Sequence, residues 1–302
     1  MGKIYSANFM NDELKFLESL GFQTNPLNKV AKDLGEAWEI FENLQKNRDN
    51  LPYFIDGMVV KVNDTNLHQK AGIVGKTPRT WCAIKFPADE VVTQVLDIVW
   101  QVGRTGKVTP VAILEPVQLQ GSTVAKASLH NSKEVFELGI CKNDYVIIRK
   151  AGDIIPEIVK ILPELSINRG ETFELPINCT SCIQKLDFSD TGIDLICNNP
   201  ECQDKIILRL SYFCSRKLGN IEGMSDKSLG KFVELYGTKD ICDIYKLDFE
   251  AIATLDGFGQ KSAKKMQLAV QKSKKIADYK FLAGLGIDGI GPEVAKLICE
   301  IL

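Results

Sequence analysis

Four of the nine cysteines lie close together in the sequence, arranged as two pairs. Cys179 and Cys182 have the spacing C-x2-C, and after fourteen residues Cys197 and Cys202 have the spacing C-x4-C. Four thiolates offered as two pairs form the closed tetrahedral donor set that structural zinc takes. The surrounding segment has too few apolar residues to build its own core, and metal binding would replace that missing stabilisation. We therefore predict a structural zinc site with no open position for catalysis.

Two disulfides or unrelated thiols are the alternative for this cluster. The odd cysteine count and the lack of a secretion signal favour the metal site. We expect the other cysteines, which lie in apolar contexts, to be buried small side chains: Cys82, Cys141, Cys214, Cys242 and Cys299. The two histidines, His68 and His130, are expected to be solvated or structural.

Anion binding is the second chemistry that the residue pattern indicates. Residues 221–227, 255–261 and 287–293 share the form apolar, x, Gly, apolar, Gly or Ser, x, polar or charged. Two glycines around one apolar residue allow a tight turn between helices and direct backbone N–H groups outward at the start of the next helix, where anions bind. We interpret the segments as helix-hairpin-helix motifs, which bind DNA phosphates without reading bases. An ordinary helix-helix turn is the alternative.

The middle glycine turn is followed by a basic stretch. Residues 261–280 hold seven lysines against one acidic residue, although the whole chain has a net charge of −2. We expect the middle turn to make the strongest phosphate contact and a valine at Gly259 to obstruct it. The candidate DNA contacts of this region are Gly257, Gly259, Lys261, Lys264, Lys265, Gly289 and Gly291.

Two lysines alternate with apolar residues in short strand-like segments. Lys61 ends GMVVK, and Lys85 lies in AIKFP. Burying an ammonium group is costly without an anionic partner, and a phosphate would be a suitable one. The alternative is a lysine whose stem packs on the strand while its charge stays in water.

The elements that must position these residues fall into several regions, so we predict a multidomain α+β protein. Helical spacing of apolar residues predicts helices over 11–20 and 34–44, followed by two short strands. Three strands, a helix and two further strands then predict an OB-fold β-barrel. The predicted boundaries are 1–90 for an α+β region, 91–165 for the OB-fold, 166–205 for the zinc finger and 206–302 for short helices with glycine turns.

Composition excludes several protein classes. With 45% hydrophobic and 25% charged residues, the chain has the composition of a globular protein rather than a disordered or collagen-like one. Its apolar runs are shorter than the roughly 18 to 20 residues that a membrane span needs, and its start has no signal-peptide pattern. We therefore expect a cytoplasmic protein with no membrane partner.

The order of these parts closely resembles the bacterial NAD-dependent DNA ligases. The resemblance rests on LPYFIDGMVVKVND, PRTWCAIKFPADE, DIVWQVGRTGKVTPVAILEPV, SLHN and IIRKAGDIIPEIV, followed by the cysteine cluster and the glycine turns. It implies the C-terminal part of an adenylation (nucleotidyltransferase) domain, an OB-fold, a four-cysteine zinc finger and a helix-hairpin-helix domain. The implied activity is sealing of nicks in duplex DNA between a 3'-hydroxyl and a 5'-phosphate by adenylyl transfer, in bacterial DNA replication and repair. NAD, Mg²⁺ and structural Zn²⁺ are the implied cofactors, and the implied location is nucleoid-associated.

The resemblance also implies roles for residues of the first region. Lys61 is similar to the family lysine that contacts the adenylate, and Lys85 to the lysine beside its α-phosphate. Asp56 is similar to an acidic residue that helps to bind Mg²⁺, and Arg79 to a basic residue near the adenylate. The four clustered cysteines match the zinc ligands.

Arg104 and Thr105, in the segment QVGRTG, match OB-domain positions that face the nick in the family. ATP-dependent ligases and capping enzymes share the nucleotidyltransferase and OB domains but lack the zinc module and hairpins. The order of the zinc and hairpin parts therefore disfavours a third interpretation, an RNA ligase or capping enzyme.

One departure from the family lies at the nucleophile. The family attaches AMP to the lysine of a Lys-x-Asp-Gly motif, and this tetrapeptide does not occur in the sequence. The nicotinamide-recognising domain, the first half of the adenylation domain and a BRCT domain have no counterpart here, so we expect an internal fragment or one product of a split gene. The chain alone is expected not to self-adenylate, and a separately encoded N-terminal half is a candidate partner. The alternative function is a non-catalytic module that binds nicked or intact duplex DNA.

Overall fold

The structure is a computed structural model that describes residues 7–75, 77–151, 155–166 and 169–301. The contacts divide the chain into two units, Met1–Ala88 and Asp89–Leu302. Within the described residues, every helix is too short or too polar to cross a lipid bilayer.

The first unit combines amphipathic helices with short antiparallel strands. Its elements are α1 (Met10–Ser19), α2 (Leu34–Lys46), β1 (Gly57–Lys61), α3 (Thr65–Ala71), β2 (Ile73–Val74), β3 (Thr77–Pro78) and β4 (Trp81–Lys85). Asp33 starts α2, where its side chain accepts a hydrogen bond from the Glu36 N–H. α2 buries Ala37 and Phe41, and the Phe41 ring lies 5.1 Å from that of Phe86. The two predicted helices and two predicted strands are α1, α2, β1 and β4.

The second unit begins with a closed β-barrel. Its elements are β5 (Glu90–Val102), β6 (Lys107–Leu119), β7 (Ser122–Ser128), α4 (Ser132–Leu138), β8 (Tyr145–Ala151) and β9 (Ile155–Ile161). β5 pairs with β6 and β8, β6 pairs with β7, and β8 pairs with β9, all antiparallel. A parallel contact between Ser128 and Glu157 joins β7 to β9 and closes the ring. This confirms the predicted OB-fold order of three strands, a helix and two strands.

Alternating burial along the strands builds the barrel core. β6 directs Ala112 and Leu114 into this core and leaves Val111 and Ile113, beside them in sequence, more exposed, as the period of two requires. Val95 and Val146 face the same core and have no exposed surface. α4 starts at Asn131, whose side chain accepts a hydrogen bond from the N–H of the third helical residue.

The cysteine-rich segment extends the barrel sheet. It contains β10 (Asp187–Phe188) and β11 (Leu195–Ile196). β11 pairs with β6, so that Leu195 lies opposite Val108 and Ile196 lies opposite Lys107. Val102 and Val108 of the barrel share a hydrophobic cluster with three of the four clustered cysteines. The segment therefore packs on the barrel through a common core.

Helices form the rest of the second unit. They are α5 (Gln203–Cys214), α6 (Asp226–Tyr236), α7 (Ile241–Ile244), α8 (Phe249–Ile252), α9 (Gln260–Ser273), α10 (Asp278–Gly284) and α11 (Pro292–Ile301). Phe213, Leu229, Phe232 and Ile252 are fully buried in the main cluster between these helices. The observed helices are short and separated by turns, as the pattern after residue 206 predicted.

Candidate functional site

The four clustered cysteines converge in the structure. Their sulfurs all lie within 4.8 Å of one another, with Cys179 Sγ 3.9 Å from Cys202 Sγ and Cys182 Sγ 3.6 Å from Cys197 Sγ. Zinc–sulfur bonds of about 2.3 Å place tetrahedral ligands about 3.8 Å apart. A disulfide would need a separation of roughly 2.05 Å. The geometry therefore fits a four-thiolate metal site and not two disulfides.

The surroundings of these thiols also suit a cation. Burial raises the pKa of the Cys197 thiol to about 12. Burial also opposes ionisation of Cys182, but hydrogen bonds from Asn199, the Gln184 backbone and neighbouring thiols outweigh it and lower its pKa to about 6. The Cys182 sulfur is thus ready to ionise, whereas burial raises the pKa of the Cys179 and Cys197 thiols, whose thiolate forms a bound cation would stabilise. Zn²⁺ would supply that charge.

The cysteine cluster is attached to the turn between β5 and β6. The Cys197 N–H donates to the Gly106 carbonyl oxygen at 2.8 Å. Gly106 has a φ of +91°, and a Cβ there would lie 2.4 Å from the Cys197 carbonyl oxygen, so only glycine fits. On β5, the Trp100 carbonyl oxygen accepts a hydrogen bond from Thr180 Oγ1 at 3.0 Å. The metal-binding segment therefore holds both strands next to this turn.

Arg104 and Thr105 lie in this turn. Thr105 is exposed, and Arg104 is half-buried. Arg104 Nη1 donates to the Gly286 carbonyl oxygen at 3.2 Å, and its guanidinium carbon lies 4.4 Å from the centre of the Tyr212 ring. The arginine expected to face a nick thus also contacts the helical part of its own unit.

The three glycine turns share one backbone geometry. The first glycine of each lies in the left-handed region, with φ of +89° at Gly223, +82° at Gly257 and +75° at Gly289. Ser225 and Gly259 are the N-caps of α6 and α9, and α11 begins directly after Gly291. The apolar residue of each turn packs on a hydrophobic cluster: Met224, Phe258 and Ile290. Each turn thus leads into the N-terminus of a helix, as predicted.

The expectation that valine at Gly259 would obstruct the turn is wrong. Gly259 has a φ of −154°, which is extended backbone that any residue adopts. Apart from its two neighbours in the chain, no described residue has an atom within 4 Å of a Cβ at this position. Gly257, with its positive φ, is the glycine that the turn conformation requires.

Exposed lysines surround the start of α9. Lys261, Lys264 and Lys265 all lie on its exposed face. Lys265 Nζ is 2.7 Å from Glu222 Oε2, in the turn before α6. Lys231 Nζ donates to the Asp256 carbonyl oxygen at 2.6 Å and so adds a further positive charge beside the middle turn.

The predicted adenylate-binding lysines share one face of the β1–β4 pair. Gly57 lies opposite Lys85, and Lys61 lies opposite Trp81, so these four positions project to the same side. Lys85 lies opposite a position four residues before Lys61, so the two lysines are about 13 Å apart along the strand direction. Lys85 Nζ is 3.4 Å from Asp56 Oδ2, with both side chains more than half exposed, and Lys61 Nζ lies 4.0 Å from the centre of the Trp81 ring.

Arg79 lines the same cleft as Lys61. The cleft has a volume of about 670 Å³ and is mostly apolar, with Met58, Val60 and Trp81 among its lining residues. Asp56 and Lys85 lie at the other end of the strand pair, outside the cleft. The structure therefore places Lys61 and Arg79 at one end of the strand pair and Asp56 and Lys85 at the other end.

The expectation of burial is correct for some of the remaining cysteines and wrong for others. Cys141 and Cys214 are buried, and burial raises the pKa of the Cys214 thiol to about 12. Cys82 and Cys242 are exposed, and Cys299 is half-buried. Apolar neighbours in sequence did not ensure burial of Cys82, because β4 pairs only with β1 among the described residues.

Both histidines take structural positions. His68 Nε2 lies 2.6 Å from the Val62 carbonyl oxygen, and its other ring nitrogen is 3.0 Å from Thr80 Oγ1. His130 Nε2 lies 3.2 Å from Glu157 Oε2.

Several residues of the site were not found from the sequence. Tyr212 and Gly286 contact Arg104 from 108 and 182 positions away in the sequence. Glu222, in the turn before α6, contacts Lys265 on α9. None of these contacts has a local sequence signal. Gly106 had one, since the two glycines of GRTG indicate a tight turn.

Comparisons with known proteins agree with this architecture. The sequence model of the NAD-dependent DNA ligase adenylation domain matches residues 5–89, and that of the NAD-dependent DNA ligase OB-fold domain matches residues 92–170. A DNA ligase of Anoxybacillus flavithermus (strain DSM 21510 / WK1) is 40% identical over 287 residues, which cover 95% of this chain. The chain spans 43% of the length of that relative. Because both domain models match in consecutive order and the sequence is 40% identical to a DNA ligase over 95% of its length, the chain belongs to the NAD-dependent DNA ligase family.

Proposed function

We propose that this chain forms part of an NAD-dependent DNA ligase, which joins the 3'-hydroxyl and 5'-phosphate at a nick in duplex DNA by adenylyl transfer during replication and repair. One observation carries the proposal. Lys61 and Lys85 lie on one face of the strand pair in the adenylation-domain match, and an OB-fold match follows directly in the chain. The proposed domains are the C-terminal part of the adenylation domain (1–90), the OB-fold (91–165), the zinc finger (166–205) and the helix-hairpin-helix domain (206–302).

The β1–β4 face orients the adenylate in this proposal. NAD supplies the adenylyl group that is transferred. Lys85 neutralises negative charge at the α-phosphate, and Lys61 contacts the adenylate at the other end of the strands. Asp56, which pairs with Lys85 at 3.4 Å, holds that ammonium group and helps to retain Mg²⁺, whose role is to neutralise phosphate charge. Arg79 adds positive charge within the cleft beside Lys61.

The second unit holds the duplex. Helix-hairpin-helix contacts run through the N–H groups at the starts of α9 and α11, next to Gly257, Gly259, Gly289 and Gly291. Lys261, Lys264 and Lys265 extend this positive surface. Arg104 and Thr105 contact the DNA from the turn between β5 and β6. These contacts bind phosphates and so make affinity independent of sequence.

Zinc at the cysteine cluster is structural in this proposal. Four thiolates complete its coordination and leave no position for water or substrate. Zinc would fix the conformation of the segment whose Cys197 and Thr180 donate hydrogen bonds to Gly106 and Trp100, at the β5–β6 turn. A ligase of this kind acts on the bacterial chromosome, so the proposed location is the cytoplasm, in association with the nucleoid.

We also propose that a polypeptide carrying the lysine nucleophile completes the site. The sequence of this chain has no Lys-x-Asp-Gly motif. The β1–β4 face leaves apolar side chains exposed, with Val59 at 53% and Trp81 at 36% exposure, and covering them would be favourable. The absence of the motif equally favours the alternative function, a non-catalytic module that binds nicked or intact duplex DNA.

A complementation assay tests the proposal. The chain is mixed with the part of the Anoxybacillus ligase that precedes the matched region, together with NAD, Mg²⁺ and nicked duplex DNA. We expect sealed product only when both polypeptides are present, with a loss of at least tenfold for Lys85→Ala. Lys15→Ala, an exposed lysine on α1, is the matched control. DNA binding without sealing in the mixture would favour the non-catalytic alternative, and preference for nicked RNA would contradict both.

A further inference from the structure

The guanidinium group of Arg104 is held on two sides. One N–H donates to the Gly286 carbonyl oxygen at 3.2 Å, and the flat face lies over the Tyr212 ring, with 4.4 Å between the guanidinium carbon and the ring centre. A guanidinium carries five N–H donors in a fixed plane. Within the described part of the chain, its other donors have no protein acceptor. Arg104 is thus oriented by the protein while most of its donors stay available.

Arg104 and Tyr212 both lie on elements attached to the cysteine cluster. The turn carrying Arg104 is held by the hydrogen bond from the Cys197 N–H to the Gly106 carbonyl oxygen. Tyr212 lies on α5, whose N-cap is Cys202, about 15 Å away along the helix axis. The chain therefore forms a closed path, from Cys197 through the turn to Arg104, across to Tyr212, and back along α5 to Cys202.

This path fixes the distance between the arginine and its aromatic partner. Gly106 meets Cys197 so closely that a Cβ would lie 2.4 Å from the Cys197 carbonyl oxygen. Gly286 has a φ of +71°, and a Cβ there would lie 3.2 Å from Arg104 Nη1. The turn that carries Arg104 is thus packed closely against Cys197, and the guanidinium group is packed closely against Gly286. A long side chain held in this way loses little conformational entropy when it binds an anion.

We propose that Tyr212 and the Gly286 carbonyl form a cradle that orients Arg104 toward a DNA phosphate, with the four-cysteine site as its base. Tyr212 is then a positioning residue that acts through Arg104. The proposal rests on the proposed function, because it assigns a phosphate of duplex DNA as the ligand of Arg104. It explains why a zinc-type site is attached to this particular turn of the barrel.

A double-mutant cycle on the full chain tests the cradle. Affinity for a nicked duplex is measured for the wild type, Tyr212→Leu, Arg104→Ala and the double variant. Since a cation–π contact of this kind is worth about a fivefold change in an equilibrium constant, we expect Tyr212→Leu to weaken binding about fivefold in the wild-type background and not to weaken it further in the Arg104→Ala background. Tyr212→Phe keeps the ring and restores most of the affinity.

A second measurement needs no DNA. The ring current of Tyr212 should shift the NMR signal of the Arg104 Nε–Hε group upfield, and the shift should disappear in Tyr212→Leu and persist in Tyr212→Phe. Zinc content of about one per chain in every variant excludes loss of the metal site.

The outcomes separate the two proposals. If the wild type does not bind DNA, the proposed function fails, and the phosphate role of Arg104 fails with it. If the wild type binds and Tyr212→Leu binds equally well, or weakens binding by the same factor with and without Arg104, the cradle is overturned and the proposed function stands.

Discussion

Lys265 forms an ion pair with Glu222, with 2.7 Å between Nζ and Oε2, and this pair joins α9 to the turn before α6. Both side chains are largely exposed, so the pair contributes little to stability. The hydrogen bond and charge of Lys265 lower the pKa of the Glu222 carboxyl from its ordinary value. A predicted phosphate contact is thus already bound to a carboxylate, and DNA must compete with Glu222 for this lysine.

Removal of that carboxylate should strengthen DNA binding. We expect Glu222→Gln to raise affinity for duplex DNA about twofold at low salt. The substitution frees Lys265 for a phosphate and removes a negative charge that repels DNA. Equilibrium binding over a series of salt concentrations measures the effect. The same substitution in a Lys265→Gln background should change affinity less, and an equal gain in both backgrounds would mean that Glu222 acts through the general charge alone.

The pH dependence of this pair follows from the direction of the Glu222 shift. Its folded-state pKa is depressed, so the pair is present above the unfolded value near 4.5 and is lost as pH falls through the folded value. The gain from Glu222→Gln should therefore be constant between about pH 6 and pH 8. Binding measured at these two pH values checks it, and a gain that changes across this range would point to another titrating group.

The two glycines of the middle turn should have separable roles. Gly257 has a φ of +82°, so Gly257→Ala should lower the free energy of unfolding by about 1 to 2 kcal/mol. Gly259 is extended and has open space around its Cβ, so Gly259→Val should leave the fold intact and weaken DNA binding by keeping a phosphate away from the start of α9.

Urea unfolding and DNA binding measured on both variants distinguish these roles. Lys264→Glu serves as the electrostatic comparison, and it should weaken binding to all sequences and reduce the dependence on salt. If Gly259→Val binds DNA as the wild type does, the start of α9 is not a phosphate contact.

Local sequence patterns predicted the parts of this site that depend on local geometry. The cysteine spacing determined a four-sulfur cluster, and the glycine turns appeared at the starts of α6, α9 and α11, because each feature is complete within a few residues. The contact between Arg104 and Gly286 joins residues 182 positions apart and depends on how helices pack against the barrel. The exposure of Cys82 was missed for a related reason, since burial depends on which strands flank β4.

Zinc removal should affect one region selectively. We expect about one zinc per chain, and a chelator should loosen residues 175–205 and the turn at Gly106, because the Cys197 N–H bonds to that turn. Hydrogen exchange followed by mass spectrometry would locate the change, with α9 as the internal reference. Metal analysis that returns no zinc, with the cysteines in disulfides, would contradict the assignment.

Thiol labelling gives an independent check on the zinc site. Cys82 and Cys242 are exposed and should react at pH 8 with or without a chelator. Cys214 should remain unreactive in the folded protein, since burial raises the pKa of its thiol to about 12. The four clustered cysteines should react only after chelation. Reaction of all four in the metal-loaded protein at the rate of Cys82 would exclude tight coordination.

The chain alone should form no covalent AMP adduct from NAD. Adenylation needs a deprotonated lysine amine held in line with the α-phosphate. The sequence has no Lys-x-Asp-Gly motif. Lys61 lies over the Trp81 ring and Lys85 pairs with Asp56, so both side chains already have other partners. Intact-mass measurement after incubation with NAD and Mg²⁺ tests this, and a stable AMP-lysine adduct would refute it.

Joining of a nick whose 5' end already carries AMP needs no lysine nucleophile. The 3'-hydroxyl releases its proton to solvent as its oxygen attacks the 5'-phosphorus, the new O–P bond replaces the bond to AMP, and AMP leaves with the electron pair. What remains necessary is positioning and positive charge, which Lys61 and Lys85 supply from the β1–β4 face. We expect at most residual sealing by the chain alone, because that face is exposed, and at least tenfold more when the N-terminal half is added. Lys85→Ala should reduce this sealing while Lys15→Ala should not, and equal sealing by both variants would remove Lys85 from the reaction.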